Sequence, residues 1–291
     1  MKHEQIAPTA SFTRQQLERK VQRQLIRGDF ANLFGEAVPE ELLTPYSFAE
    51  ADADRVAMLQ QKYTNRAWNI RRCWNRTERF LPELMIPGAP PQQVLELSTA
   101  HGGMLEVARH FGHGVMGTDY ANFVYTRTPG KRLRMAGEDT VATRPLNDPT
   151  FDRTIDDHGI DVSAVGDDGP DWPYRPITDA VGIPMTVFDA GKTPYPFEDK
   201  SYDVLMCMQA IEHYCHPDHW HDVVDEMCRI SRRTVVILLN PVNRQLKQID
   251  GYVDSYTEFR RSMRCYNRNG FVNVASFMHW GKAVGFKLMA L

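Results

Sequence analysis

Val94-Leu95-Glu96-Leu97-Ser98-Thr99-Ala100-His101-Gly102-Gly103, followed by a helical stretch to Phe111 and then by Gly114-Val115-Met116-Gly117-Thr118-Asp119, is the segment whose reading decides the fold. It runs as a short apolar strand, a tight loop of small residues, a helix, a second strand and an acid. In an open α/β sheet a small-residue loop at the carboxyl end of the first strand lets a nucleotide-like ligand approach the backbone. An acidic residue ending the second strand accepts hydrogen bonds from ribose hydroxyls. A doubly wound α/β domain that holds an adenosine-containing ligand is therefore expected.

The same alternation continues downstream. Strands are predicted at Gln93 to Leu97, Gly114 to Thr118, Met185 to Phe188, Tyr202 to Met208, Thr234 to Leu239 and Phe286 to the end, and helices at Gly103 to Phe111, Pro217 to Ile230 and Ala275 to Val284. Near-continuous apolar strands separated by helices imply a mainly parallel sheet covered on both faces. The interval from Asn122 to Pro184 is long for a simple crossover. It carries Asp148, Asp152, Asp156, Asp157, Asp161, Asp167, Asp168 and Asp171, and reads as an insertion forming a surface loop or a lid near the site. Their spacing does not fit a calcium loop.

Upstream, Pro87-Gly88-Ala89-Pro90-Pro91 is a linker that separates a helical segment, residues 1–87, from the sheet domain, residues 88–291. Within the first, Thr13-x-x-Gln16 reads as a capping box opening an amphipathic helix to Arg27, with a solvated basic face. A second box, Ser47-x-x-Glu50, opens a longer helical stretch toward Leu81, broken near Thr64 and Asn65, with Val56, Leu59, Tyr63, Ile70 and Trp74 on one face. Tyr63, Arg66, Trp68, Arg71 and Trp74 could form an aromatic and cationic lid. Aromatic residues at helical spacing are more often core, and the segment is read as a helical cap.

The sheet segment resembles the class I S-adenosylmethionine-dependent methyltransferases over Gln93 to Asn240 outside the insertion, and again at the last strand. In that family the first loop reads acid-x-Gly-x-Gly-x-Gly, aligning here as Glu96-x-Ser98-x-Ala100-x-Gly102, with two glycines replaced. Ser98 and Ala100 bring a Cβ where glycine would permit positive φ and close approach. Thr186-Val187-Phe188-Asp189-Ala190 and the stretch Pro196-Phe197-Glu198-Asp199-Lys200-Ser201-Tyr202-Asp203 are similar to the family's adenine-contacting strand and the approach to its fourth strand. Met206-Cys207-Met208-Gln209-Ala210-Ile211-Glu212-His213-Tyr214 is similar to its strand and Glu-His turn.

The resemblance implies a Rossmann-like sheet and S-adenosylmethionine as cofactor, contacted by Glu96, Ser98, Ala100, Gly102, Asp119, Tyr120, Asp189, Ala190 and Gln209. Asp189 would bind the adenine amino group, and Ala190 would supply a backbone donor. It also implies methyl transfer to an oxygen or nitrogen of a small or sugar-like acceptor. His213 is the candidate general base, because an imidazole accepts a proton near neutral pH, with Tyr214 and His216 as weaker candidates. The alternative for His213 is a backbone contact that shapes the turn. His213, Cys215, His216, Asp218, His219 and His221 lack the paired spacing of a zinc site, and no metal is expected.

An antiparallel last strand typical of the family is not evident, which leaves an alternative edge strand, a partner subunit of a homo-oligomer on that edge, or a divergent member. With Ser98 and Ala100, this keeps open a non-catalytic relative that uses the fold as an interaction or regulatory module. A nicotinamide-dependent oxidoreductase would share the ribose-binding acid, but Gly-x-Gly-x-x-Gly and a Tyr-x-x-x-Lys pair are absent.

With 291 residues, 42% hydrophobic and 24% charged, the chain can bury a real core. A net charge of −3 gives no basic footprint for nucleic acid. Five cysteines without a C-x-x-C pair favour a reducing compartment. No signal peptide is read at Met1 to Ala10 and no run approaches the roughly 18 apolar residues of a membrane span, so a cytoplasmic location is expected.

Overall fold

The computed structural model describes residues 38–59, 61–120, 123–124, 134–135, 146–147, 172, 174–242, 244, 246–279 and 283–291. The expected helix from Thr13 to Arg27, the acidic run from Asp148 to Asp171 and Trp280 lie outside them. The helices are α1 (Glu40–Leu43), α2 (Ala53–Met58), α3 (Gln61–Thr64), α4 (Arg66–Phe80), α5 (Gly103–His110), α6 (Arg175–Ala180), α7 (Trp220–Ile230) and α8 (Tyr252–Arg264). The strands are β1 (Gln93–Leu97), β2 (Gly114–Asp119), β3 (Phe123–Val124), β4 (Arg134–Met135), β5 (Met185–Val187), β6 (Tyr202–Met208), β7 (Ser231–Leu239), β8 (Asn267–Arg268), β9 (Phe271–His279) and β10 (Ala283–Ala290).

Eight strands form one sheet in the order β5-β2-β1-β6-β7-β10-β9-β8. The first five are parallel, whereas β10 runs antiparallel to both β7 and β9, and β8 antiparallel to β9. The sheet is therefore mixed, with a parallel half that carries the strand-end loops and an antiparallel half that closes the other edge.

The central strands are mainly apolar because both faces are covered. Leu95, Leu97, Leu205, Cys207, Val235, Ile237 and Phe286 face α7 and α8, which bring Trp220, Val223, Tyr256 and Phe259. The alternate residues Val94, Val204, Met206, Val236 and Leu238 face α4 and α5, which bring Ile70, Cys73, Trp74, Leu105 and Val107. Each such aliphatic or aromatic side chain removed from water contributes about 1.5–3 kcal/mol. Among the described residues no helix is long and apolar enough to cross a membrane.

The long helical stretch does break at the expected place. Asn65 caps α4, its side chain accepting from the Trp68 amide at 3.0 Å, after which Ile70 and Trp74 turn fully inward. The Ser47 capping box does not form. The first turn there is a 3-10 segment, Glu50–Asp52, preceded by Ala49 with no side-chain cap. Of the proposed lid, Trp74 is core against Phe111, Arg66 is committed to Glu106, and only Tyr63 reaches the cavity described below.

The C-terminus departs furthest from the sequence reading. Ala275 to Val284 is not a helix, because residues through His279 belong to β9 and Ala283 begins β10. Gly285-Phe286 lies inside β10, and not at a turn. Gly285 faces Phe277 of β9, whose ring covers it and stacks on Phe80 at 4.2 Å. The antiparallel last strand that was not evident in the sequence is thus present as β10, seated between β7 and β9. Helix α8 was not anticipated. At the end of the long interval, α6 leads into β5, with Arg109 of α5 donating to the carbonyls of Val181 and Gly182.

Candidate functional site

Strand order reverses direction at β1, since β2 and β5 lie to one side and β6 and β7 to the other. The loops leaving the carboxyl ends of β1 and β6 therefore part over the sheet and leave a crevice. A cavity of about 430 Å³ occupies it. Glu96, Ser98, Thr99, Ala100, Asp119, Tyr120, Asp189, Ala190, Gln209, His213 and Tyr214 line it from the sheet side, and Lys62, Tyr63, Arg72, Arg76 and Tyr174 from the helices.

The β1 loop is held by reciprocal bonds to β2. Thr99 N donates to the Thr118 carbonyl at 2.8 Å, Thr118 N to Thr99 Oγ1 at 3.0 Å, and Ser98 N to Thr118 Oγ1 at 3.3 Å. The loop then takes left-handed backbone at Ser98 (φ 52°), Ala100 (φ 51°) and Gly102 (φ 68°). Two residues with side chains thus follow the path that glycine would take, at a cost of roughly 1–2 kcal/mol each. Ser98 recovers part of this through its hydroxyl, 2.8 Å from Tyr214 Oη. Ala100 recovers part through its amide, which donates to Asp119 Oδ2 at 3.2 Å. Ala100→Gly is accordingly expected to raise the thermal midpoint by about 1–3 °C, the relief of strain exceeding the entropy added to the unfolded chain. A lowered midpoint would mean that the Ala100 methyl contributes more by contact than its backbone costs.

Asp119 Oδ1 also accepts from the Tyr120 amide at 2.9 Å, so one carboxylate oxygen holds the β1 loop and the other the end of β2, while the residue still lines the cavity. Burial pushes its pKa up to about 6, the two amides pulling back. Glu96 is more strongly affected. Burial pushes it up to about 8, partly offset by Arg76, and its Oε2 has no hydrogen-bond partner. Asp189 accepts from Gly191 N at 2.8 Å, and Tyr195 Oη donates to the Ala190 carbonyl at 2.8 Å, which fixes the turn after β5.

Gln209, left-handed at φ 62°, begins the β6 loop. Its amide nitrogen donates to Asn240 Oδ1 at 2.7 Å and its oxygen accepts from Arg76. Asn240 N donates in turn to buried Glu212, whose carboxyl burial pushes up to about 7. His213 ends a short 3-10 turn and lines the cavity.

The two other candidates differ in their surroundings. Tyr214 is buried between Ser98 and Cys207, and burial holds its phenol well above its ordinary pKa, so it meets the β1 loop as a neutral hydroxyl while also lining the cavity. His216 accepts from the Asp218 amide and lies edge-on to Tyr252, outside the cavity lining. Gly102 also lies outside the lining, where it serves as the left-handed N-cap of α5. Among the described residues no group of three or more His, Cys, Asp or Glu is placed to hold a metal.

Arg72, Arg76, His101 and Asn240 were not anticipated. Asn240 follows β7 as Gln209 follows β6, so the strand-end rule alone could have found it. Arg76 sits one turn from Cys73 on the apolar stripe of α4, and a cation on such a stripe is itself a signal. His101 is buried, and burial with the neighbouring Arg72 and Arg76 pushes its pKa down to about 3, leaving it neutral.

No protein-family model matches the chain, and no curated protein matches it. Solved structures do. A Pyrococcus horikoshii protein is 13% identical at a TM-score of 0.44, covering 84% of this chain and 100% of its own. Magnesium protoporphyrin IX methyltransferase from Synechocystis, with bound S-adenosylhomocysteine, is 12% identical at 0.43, covering 92% and 100%. An S-adenosylmethionine-dependent methyltransferase from Aquifex aeolicus is 12% identical at 0.37, covering 74% and 93%.

Proposed function

We propose that the chain is an S-adenosylmethionine-dependent methyltransferase acting on an oxygen or nitrogen of a small or sugar-like acceptor. The observation that carries this reading is the β1 loop. Ser98 and Ala100 occupy the positions where the family has glycine, and both adopt the left-handed backbone that glycine would supply. The replacements therefore leave the crevice open at the strand ends, between the acids Asp119 and Asp189. The presence of β10 also removes one of the two features that favoured a non-catalytic relative.

The donor set fits the cofactor. An amino-acid end carries a carboxylate and an ammonium, and the cavity offers the Arg76 guanidinium beside the Glu96 carboxyl, with Arg76 Nε and Glu96 Oε2 both buried and without partners. Asp119 would accept from the ribose hydroxyls, and Asp189 with the Ala190 backbone would hold the base. When bound, the cofactor supplies an electrophilic methyl group on a sulfonium. The chain's task is to align the acceptor and exclude water. His213, on the cavity wall, would take the acceptor's proton.

Glu96 provides a test. With its pKa near 8 it is mostly protonated at pH 7, and an ammonium brought beside it lowers that value. S-Adenosylhomocysteine binding at pH 7 is therefore expected to release a proton, seen as a calorimetric heat that varies with the ionisation enthalpy of the buffer. Glu96→Gln should abolish the variation. Heats that are independent of buffer in the parent protein would count against this placement.

A further inference from the structure

The cavity has two chemically distinct ends. The sheet side carries the acids Glu96, Asp119 and Asp189, and the helical side carries Lys62, Arg72 and Arg76. Arg72 and Arg76 lie one turn apart on α4, an arrangement of like charges that costs energy unless an anion is nearby. Among the described residues no carboxylate forms an ion pair with Lys62 or Arg72, whereas Arg76 has the Glu96 carboxyl beside it. A cofactor carboxylate held by Arg76, beside Glu96 and Gln209, leaves Lys62 and Arg72 unanswered.

The surroundings of Arg72 add a second observation. Its Nε is buried without a partner, and its Nη2 lies 2.8 Å from His101 Nε2. The other ring nitrogen, His101 Nδ1, faces the Gly103 amide at 3.1 Å. A neutral imidazole has one N–H and one acceptor, so with donors on both sides one of these contacts sets donor against donor. An anion that drew the guanidinium away from His101 would relieve it.

Aromatic rings complete this end. Lys62 Nζ lies 4.7 Å above the Tyr63 ring, Tyr63 packs against Tyr174 at 4.7 Å, and the Arg72 guanidinium lies over the Trp68 ring at 4.5 Å. Flat faces beside two cations suit a flat ring bearing a negative group.

We propose that the acceptor is a small molecule carrying an oxyanion next to a flat ring, the oxyanion held by Lys62 and Arg72 and the ring lying against Tyr63 and Tyr174. This inference rests on the methyltransferase reading and narrows its substrate class. Carboxylate and phosphate share the recognising chemistry.

The test uses the full chain saturated with S-adenosylhomocysteine. It is titrated with hydroxy- and amino-substituted aromatic carboxylates, among them 4-hydroxybenzoate, with the corresponding aryl phosphates, and with the neutral methyl esters of the acids. The expected result is that one or both oxyanion series bind about tenfold or more tightly than the esters. That preference should vanish in Arg72→Ala and weaken in Lys62→Ala, with S-adenosylhomocysteine affinity in both variants staying within about threefold of the parent. Esters that bind as well as acids, no binding by any member, or a preference that survives both substitutions would overturn the proposal. So would collapse of S-adenosylhomocysteine affinity in Arg72→Ala, which would assign that guanidinium to the cofactor. Failure of the parent protein to bind S-adenosylhomocysteine at all is a different result, and it removes the reading underneath.

Discussion

Asp119→Ala is expected to weaken S-adenosylhomocysteine binding by about 100- to 1,000-fold while leaving a folded protein. The carboxylate acts twice. It would accept two ribose hydroxyls, each such charge-assisted bond contributing roughly 1.5–3 kcal/mol in a buried site. It also accepts the Ala100 amide at 3.2 Å, holding the loop in its left-handed path, and the Tyr120 amide at 2.9 Å at the end of β2. The two ribose bonds at the lower end of that range, with the loop loosened besides, place the effect near 3–4 kcal/mol, hence the stated range. Asp119→Asn should recover little, because whichever way its amide turns, an N–H group faces a backbone donor.

The pH dependence of this site has a definite sign. Burial raises the Asp119 pKa to about 6. A folded-state value above the ordinary carboxylate one means that Asp119 costs folding stability as pH rises through about 6, where it ionises without full compensation. Ribose hydroxyls donate to the ionised form, so binding recovers that cost. Affinity in the parent protein should therefore fall as pH drops below about 6, and this dependence should be weaker in Asp119→Ala, where only the Glu96 contribution is left. Calorimetric titration at pH 5.5 and 7.5 measures both points. An affinity unchanged by the substitution would remove Asp119 from the ribose site.

Arg66→Ala carries the largest expected effect on stability, a loss of about 3–5 kcal/mol. Arg66 Nε and Nη2 both reach Glu106 Oε2, at 3.0 and 2.5 Å, and the Glu106 side chain is fully buried. Without the guanidinium a carboxylate is left in the interior, with its other oxygen already lacking a partner. Arg66 Nη1 also donates to the Thr44 and Glu41 carbonyls, so the same substitution loosens the chain around α1. The thermal midpoint should fall by roughly 8–15 °C. Burial already raises the Glu106 pKa against the pull of Arg66. The variant should raise it further, so its deficit should shrink as pH falls toward the ordinary glutamate range. Adding Glu106→Leu should restore most of the loss. If the double variant is as unstable as Arg66→Ala alone, the burial of an unpaired charge is not the cause.

The parallel half of the sheet was legible because its strands are buried on both faces. Gln93–Leu97 and Tyr202–Met208 begin and end where the apolar runs do, and β2 and β7 differ from the reading only at their ends. The antiparallel half was not. In β9, Val274 is exposed while Phe277 packs on Phe80, and in β10 Gly285 faces Phe277, so apolar and small residues mix in a way that fits a helix equally well. The pairing of β10 between β7 and β9 is a long-range fact with no local signature.

At the site, the strand-end rule located Ser98, Ala100, Asp119, Gln209 and His213, and the family resemblance located Asp189; all of them line the cavity. It could not separate His213 from its neighbours Tyr214 and His216. Their roles depend on where Ser98 and Tyr252 stand in space. The cationic wall was missed for a related reason. Arg72 and Arg76 become site residues only once α4 packs beside α5 on the sheet face nearest the β1 loop.

The central claim is that the crevice over β1 and β6 holds S-adenosylmethionine despite the loss of two loop glycines. Direct titration of the purified chain with S-adenosylmethionine and S-adenosylhomocysteine, with NAD in parallel, tests it. Saturable binding of the first two and none of NAD is the predicted result. A well-folded protein that binds neither would mean that Ser98 and Ala100 close the site, and would contradict the account.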